Sequence, residues 1–418
     1  MGILHAPVVR FTLHGDFIDS HSGSLVSGDQ EIGIKAYFGK RLFVPASTES
    51  FFELHGVVIG KEFHWERRES QRFRGTLKII AEGDRLTAVN VIGIEEYLRS
   101  VISSEMSARS PAESLKAHAV ISRSWLMSQV LSKERSTAES GFTDTAAEYI
   151  RWYDREEHEL YDVCADDHCQ RYQGISRICS PEVDAAVAAT HGHVLMFDDE
   201  ICDARYSKCC GGVTEAFENV WEPEVHPYLR AVRDLPSSPG YVSDLSAEDK
   251  ARSWIETSPP AFCNTKDKTL LANALNGYDQ ETPDFYRWQV EYTQKELSEL
   301  VKKRLEIDFG TIKELIPLER GVSGRVIKLK IVGSKRTLKI GKELVIRRAL
   351  SPSHLYSSAF VVETGVKNGE KTFILKGAGW GHGVGLCQIG AAVMGSKGYP
   401  FSEILQHYYP GTELKKAY

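Results

Sequence analysis

The chain has 418 residues, 42% of them hydrophobic and 26% charged, which suits a folded globular protein and excludes a mostly disordered one. Its 34 glycines and 15 prolines follow no fixed period, which removes collagen-like and low-complexity architectures, and a net charge of −6 gives no global basic field for nucleic acid. At roughly 150 residues per domain this length fits two or three domains, or one core with insertions.

Residues 1–90 read as a β-rich N-terminal region. Val8-Val9-Arg10-Phe11-Thr12-Leu13, Gly56-Val57-Val58-Ile59-Gly60 and Thr76-Leu77-Lys78-Ile79-Ile80 are its clearest strands. A helical stretch follows over 94–132. Ile94, Tyr97, Leu98, Val101 and Ile102 fall at helical spacing on one face, and Ser103–Arg109 interrupts the pattern. Ser110, Pro111 and Glu113 then read as N-cap, first-turn proline and the distal half of a capping box. This places Glu105 at the junction of two helices, where partial desolvation raises a carboxyl pKa.

Residues 140–180 are polar and loop-rich, and 194–213 return to strands around a Gly211-Gly212 turn. Five prolines mark 235–285 as an insertion or surface excursion. Thr293 and Glu296 predict a capped helix to Leu305, and 325–362 alternate as strands. Residues 377–385 hold five glycines around Trp380 and His382, and two short helices follow. The glycine stretch fits neither the dinucleotide fingerprint nor the phosphate-loop spacing. It suits close backbone approach, with Trp380 offered either to a sugar face or to the core.

Six of the eight cysteines lie between Cys164 and Cys210, too local and sparse for a disulfide scaffold. His158, Cys164, His168 and Cys169 supply two imidazoles and two thiols, the donor set of tetrahedral zinc. Their spacing is not that of a standard finger. Asp166 or Asp167 could replace one ligand, and a Cys164–Cys169 disulfide or free thiols are the alternatives. Four protein ligands leave no open position, so such a zinc would be structural, with no cofactor needed for catalysis.

The order of motifs carries a resemblance. Gly93-Ile-Glu-Glu-Tyr-Leu-Arg-Ser-Val-Ile-Ser-Ser-Glu-Met106 comes first, then Glu113-Ser-Leu-Lys-Ala-His-Ala-Val-Ile-Ser-Arg-Ser-Trp125. Three middle stretches begin at Val163, Tyr206 and Pro227, and the last motif is Gly379-Trp-Gly-His-Gly-Val-Gly-Leu-Cys-Gln388 with Tyr408-Tyr409-Pro-Gly-Thr412. Together they resemble the SpoIID/LytB family of bacterial sporulation and cell-wall proteins over roughly 70–415. Cys209, His118 and Leu386-Cys387 depart from its commoner residues.

Strands and helices cluster rather than alternate strictly, so the fold class is α+β, and the resemblance implies a family core over 91–234 and 286–418 divided by the 235–285 excursion. It implies a lytic transglycosylase that cleaves peptidoglycan glycan strands stripped of stem peptides and leaves 1,6-anhydro-muramoyl ends. Other members are described as enhancers of an amidase, so a noncatalytic peptidoglycan-binding partner of a cell-wall amidase is the second reading. Glu105 matches the family glutamate and would act as acid, then base. Lys116 and Arg123 match family positions seven apart, which puts them on one helix face about 20° short of two turns. Tyr206, Ser207, Trp380, His382 and Gln388 complete the expected substrate-binding set, and zinc near the cleft agrees with related members.

No apolar run reaches the ~18 residues of a membrane span, and the first residues lack the regions of a secretory signal. The substrate nevertheless implies the cell envelope, periplasmic or extracytoplasmic.

Overall fold

The computed structural model describes residues 1–35, 39–60, 66–132, 142–152, 158–166, 168–177, 180–236, 244–276 and 284–418. Asp167, one of the two alternative zinc ligands, lies outside the described residues.

The first 91 residues form ten strands among the described residues. They build a six-stranded and a four-stranded antiparallel sheet. The strand Val8–His14 alternates buried and accessible positions, the period of a half-buried strand. Val9, Phe11 and Leu13 meet Phe43, Phe52, Leu77 and Ile79 in one core.

Among the described residues the α-helices are α1 (Ile94–Glu105), α2 (Ala112–Ser132), α3 (Pro181–Ala189), α4 (Glu248–Thr257), α5 (Lys268–Ala274), α6 (Gln294–Leu305), α7 (Glu343–Ala349), α8 (Gln388–Ser396) and α9 (Phe401–Tyr408). Tyr97, Leu98, Val101 and Ile102 of α1 are buried against the N-terminal sheets, as the stripe predicts. Helix α2 is apolar around much of its girth because two cores claim it. Leu115, Ala119 and Trp125 join the N-terminal core, whereas Ala117, Val120 and Ile121 join a second core with α8 and α9. A third core joins a five-stranded sheet and a three-stranded sheet to α6 and α7. Of the paired strands described, only Glu148–Arg151 with Thr337–Gly341 and Tyr206–Ser207 with Leu386–Cys387 run parallel. Largely antiparallel sheets with clustered helices make the fold α+β.

Three local expectations change. The capping box of α6 forms, with Thr293 and Glu296 bonded reciprocally, but that of α2 does not. The Glu113 carboxylate is taken instead by Lys116 Nζ and by the N–H of Phe401, while Ser110 Oγ pairs with Ser114 Oγ. The strand run expected over 325–362 is broken by α7, whose Val345 and Ile346 pack into the third core. In the excursion, 244–276 is a packed segment bearing α4 and α5. It buries Ala251, Ile255, Phe262, Cys263, Ala274 and Leu275, because its apolar residues fall on faces turned to the core.

Candidate active site

Glu105 is the last residue of α1 and is half-buried. Its Oε1 accepts the backbone N–H of Arg171 at 2.8 Å, and its carbonyl accepts Lys208 Nζ at 3.1 Å. The last turn of α1 carries no basic residue, so Lys208, arriving from another segment, supplies the cation that a helix C-terminus favours. Tyr206 and Tyr97 flank this carboxylate. Burial first, then the charge of Glu105, pushes the Tyr206 phenol well above its usual range. For Tyr97 burial leads, followed by Cys169 and Glu105. The α5 end closes the other side of the junction, with Ala274 O accepting Ser107 N at 3.1 Å and Asn276 Nδ2 donating to Ser104 O at 2.7 Å.

The segment that grips Glu105 also carries the four zinc candidates. One donor atom from each of His158, Cys164, His168 and Cys169 lies within 4.8 Å of all the others. Cys169 Sγ is 3.5 Å from His158 Nε2 and 3.4 Å from His168 Nδ1. A tetrahedral ion with ordinary Zn–S and Zn–N bonds would separate these donors by about 3.5 Å, so the set fits zinc. Cys164 and Cys169 are free thiols, and the Cys164 segment is laced to the first strand by Gly2 N to Val163 O and Ala165 N to Gly2 O.

The glycine loop is shaped by crowding. Gly383 (φ 81°) and Gly385 (φ 71°) adopt left-handed backbone, and added Cβ atoms would come within 2.3 Å of Arg325 Cζ and 1.9 Å of Arg205 O. Trp380 pairs with Cys209 through both backbone groups. Its half-buried indole stacks on Phe285 at 4.9 Å and meets Tyr356 edge-on at 5.0 Å. Among the described residues Ser207 Oγ is buried with no hydrogen-bond partner, beside Gly381 of this loop. Ser207-Lys208-Cys209 therefore links the glycine loop to the carbonyl of Glu105.

Other expected site residues are committed to partners within the protein. Arg123 is fully buried, with Nε and Nη2 on the two oxygens of Glu95 at 2.8 and 2.7 Å and Nη1 on His193 O. A guanidinium so committed has its donors on protein groups: the Glu95 carboxylate and the His193 carbonyl. Lys116 is paired with Glu113 at 2.6 Å, so the two cations share a helix but not a task. Gln388 is buried and bonds His118 Nε2 at 3.0 Å, away from solvent. The His382 ring accepts the Val384 N–H and meets Trp221 edge-on, and burial, with Arg205 and Arg325 next, lowers its pKa so that it stays neutral. Arg171 and Lys208 were missed by sequence reading. Lys208 directly follows the Tyr206-Ser207 pair, whereas nothing local couples Arg171 to Glu105.

His118 also tilts against the Tyr206 ring and bonds Ser122. Burial, then Lys208, lowers its pKa from 6.5 to about 3. The folded chain therefore refuses a proton that the unfolded chain takes up below pH 6.5. Stability is complete above that pH and falls as pH drops towards the folded value, by up to about 1.4 kcal/mol per pH unit. His118→Gln should flatten urea-midpoint profiles between neutral and mildly acidic pH. Unchanged slopes would contradict this assignment.

The site is thus a glutamate at a helix end, held by a Cys/His loop on one side and linked to a glycine-rich aromatic loop on the other, in an α+β frame. A family profile described as stage II sporulation protein matches residues 82–197, and one described as a domain of unknown function matches 215–385. An uncharacterized protein of Brachyspira hyodysenteriae is 27% identical over 342 residues, covering 82% of this chain and 72% of its own. The amidase enhancer of Bacillus subtilis is 27% identical over 328 residues, 76% of this chain but 40% of its own length. Stage II sporulation protein D of Bacillus amyloliquefaciens is 26% identical over 330 residues, 79% of this chain and 76% of its own. The stage II sporulation profile over 82–197 and these relatives, at 26–27% identity, support a likeness to the SpoIID/LytB family.

Proposed function

We propose that this protein acts on the bacterial cell wall, outside the cytoplasmic membrane, and cleaves peptidoglycan glycan strands by lytic transglycosylation. The observation that carries the proposal is the setting of Glu105. It is a half-buried carboxylate fixed by the Arg171 N–H at the end of a rigid helix, beside Tyr206 and Lys208. In the reaction, protonated Glu105 gives its proton to the bridging oxygen as the bond from muramic C1 breaks. The muramic 6-hydroxyl then attacks C1, and its proton returns to the Glu105 carboxylate. The proton count closes within one turnover, and no second carboxylate is needed to activate water.

His158, Cys164, His168 and Cys169 would hold a zinc ion whose contribution is to fix the loop structurally. Arg171, two residues beyond Cys169, is then held where its N–H orients Glu105.

The test is incubation with glycan strands carrying or lacking stem peptides. The proposal expects stripped strands to yield fragments lighter by one water than hydrolytic products. A wild type that binds strands and leaves them intact would overturn it. The Bacillus subtilis relative named an amidase enhancer supports a second reading, a noncatalytic partner of a cell-wall amidase. Under that reading Glu105 would be dispensable and Trp380 would not.

A further inference from the structure

Behind the glycine loop lies a second cluster with metal-binding chemistry, and it is fully buried. One donor atom from each of Cys210, Asp234, Cys263 and Cys387 lies within 4.8 Å of all the others. We propose that these three thiolates and one carboxylate hold a structural zinc ion that fastens the 244–276 segment to the core beneath the candidate active site.

Distance is the first argument. Cys210 Sγ and Cys263 Sγ are 3.7 Å apart and both are free. A disulfide needs about 2.05 Å. Two thiolates on one tetrahedral zinc, each about 2.3 Å from the ion, stand about 3.8 Å apart.

Orientation is the second. The N–H groups of Cys210 and Gly212 point at Cys387 Sγ and Cys210 Sγ, at 3.2 and 3.4 Å. The Asp234 carboxylate is fixed by Tyr408 OH on Oδ1 at 2.6 Å and by Cys263 N–H on Oδ2 at 2.8 Å. Such outer contacts orient metal ligands and stabilise their charged forms.

Charge is the third. Among the described residues Asp234 has no ion pair, although it is wholly buried. A buried carboxylate is costly without a positive partner, and zinc supplies one. Three thiolates and a carboxylate would leave the site a net double negative charge once the thiol protons pass to solvent. Two guanidiniums face that excess. Arg325 Nη1 donates to Cys210 O at 3.3 Å, and Arg287 Nη1 to Gly211 O at 3.2 Å. The thiolate-rich donor set favours zinc over calcium or magnesium. With four protein ligands and no solvent access, the ion would be structural.

The ligands come from three places: the turn at 210–212 with Asp234, the loop between α4 and α5, and the residue that opens α8. The zinc would tie all three. Because the α5 end bonds the Glu105 junction, the tie would also brace that junction.

Zinc content needs no substrate, so this test is separate from that of the glycan proposal. The full chain is purified from zinc-supplemented culture and its metal measured by atomic emission. Cys164→Ser disables the first cluster and should retain one zinc equivalent. Loaded with cobalt(II), it should show an intense thiolate-to-cobalt charge-transfer band. Adding Cys263→Ser should remove both the metal and the band. A metal-free Cys164→Ser protein would overturn the proposal, and so would thiol titration in denaturant showing Cys210 and Cys263 oxidised. Both of these readings survive if Cys263→Ser fails to fold.

Discussion

Glu105→Gln should lower glycan-strand cleavage by about 10²–10⁴-fold, the usual loss on removing a general acid. The amide oxygen can still accept the Arg171 N–H, and Lys208 bonds the backbone carbonyl rather than the side chain, so both anchors of the junction persist. Urea midpoint and strand binding should therefore match wild type while turnover collapses. That split separates a catalytic residue from a structural one. Cleavage at the wild-type rate would remove Glu105 from the chemistry and shift weight to the amidase-partner reading.

Glu95→Gln should cost about 3 kcal/mol of folding stability, read as a fall in urea midpoint. Arg123 has no solvent-exposed surface, and Glu95 supplies both carboxylate oxygens of its paired contact. The cost comes from leaving a guanidinium buried without its counter-charge. If Arg123 instead served as a glycan contact, its replacement by Met would raise KM and spare the midpoint. The buried pair predicts the opposite pattern.

These residues also mark where the sequence was readable. The α1 stripe and the Thr293–Glu296 cap were legible because both depend on neighbours within a turn or two. So was the first cluster, whose ligands lie within a dozen residues of one another. The α2 capping box failed because Phe401, 288 residues away, recruits Glu113. Arg123 was expected on one helix face with Lys116 at the substrate, but α2 is enclosed by two cores and Glu95 meets it from α1. The second cluster was not legible. Cys210 and Cys387 are 177 residues apart, and Cys387 stood out only as a departure from the commoner family residue until the parallel pairing of Tyr206–Ser207 with Leu386–Cys387 brought them together. Arg171 reaches Glu105 through its backbone, a contact that no side-chain pattern announces.

The most direct test of the central claim is digestion of peptide-stripped glycan strands in water enriched in oxygen-18, followed by mass spectrometry of the new ends. If Glu105 returns the proton of the muramic 6-hydroxyl, the ends are anhydro sugars, lighter by one water and free of label, and they disappear with Glu105→Gln. Label incorporated at the new reducing ends would mean that water attacks C1, which contradicts lytic transglycosylation and demands a second carboxylate.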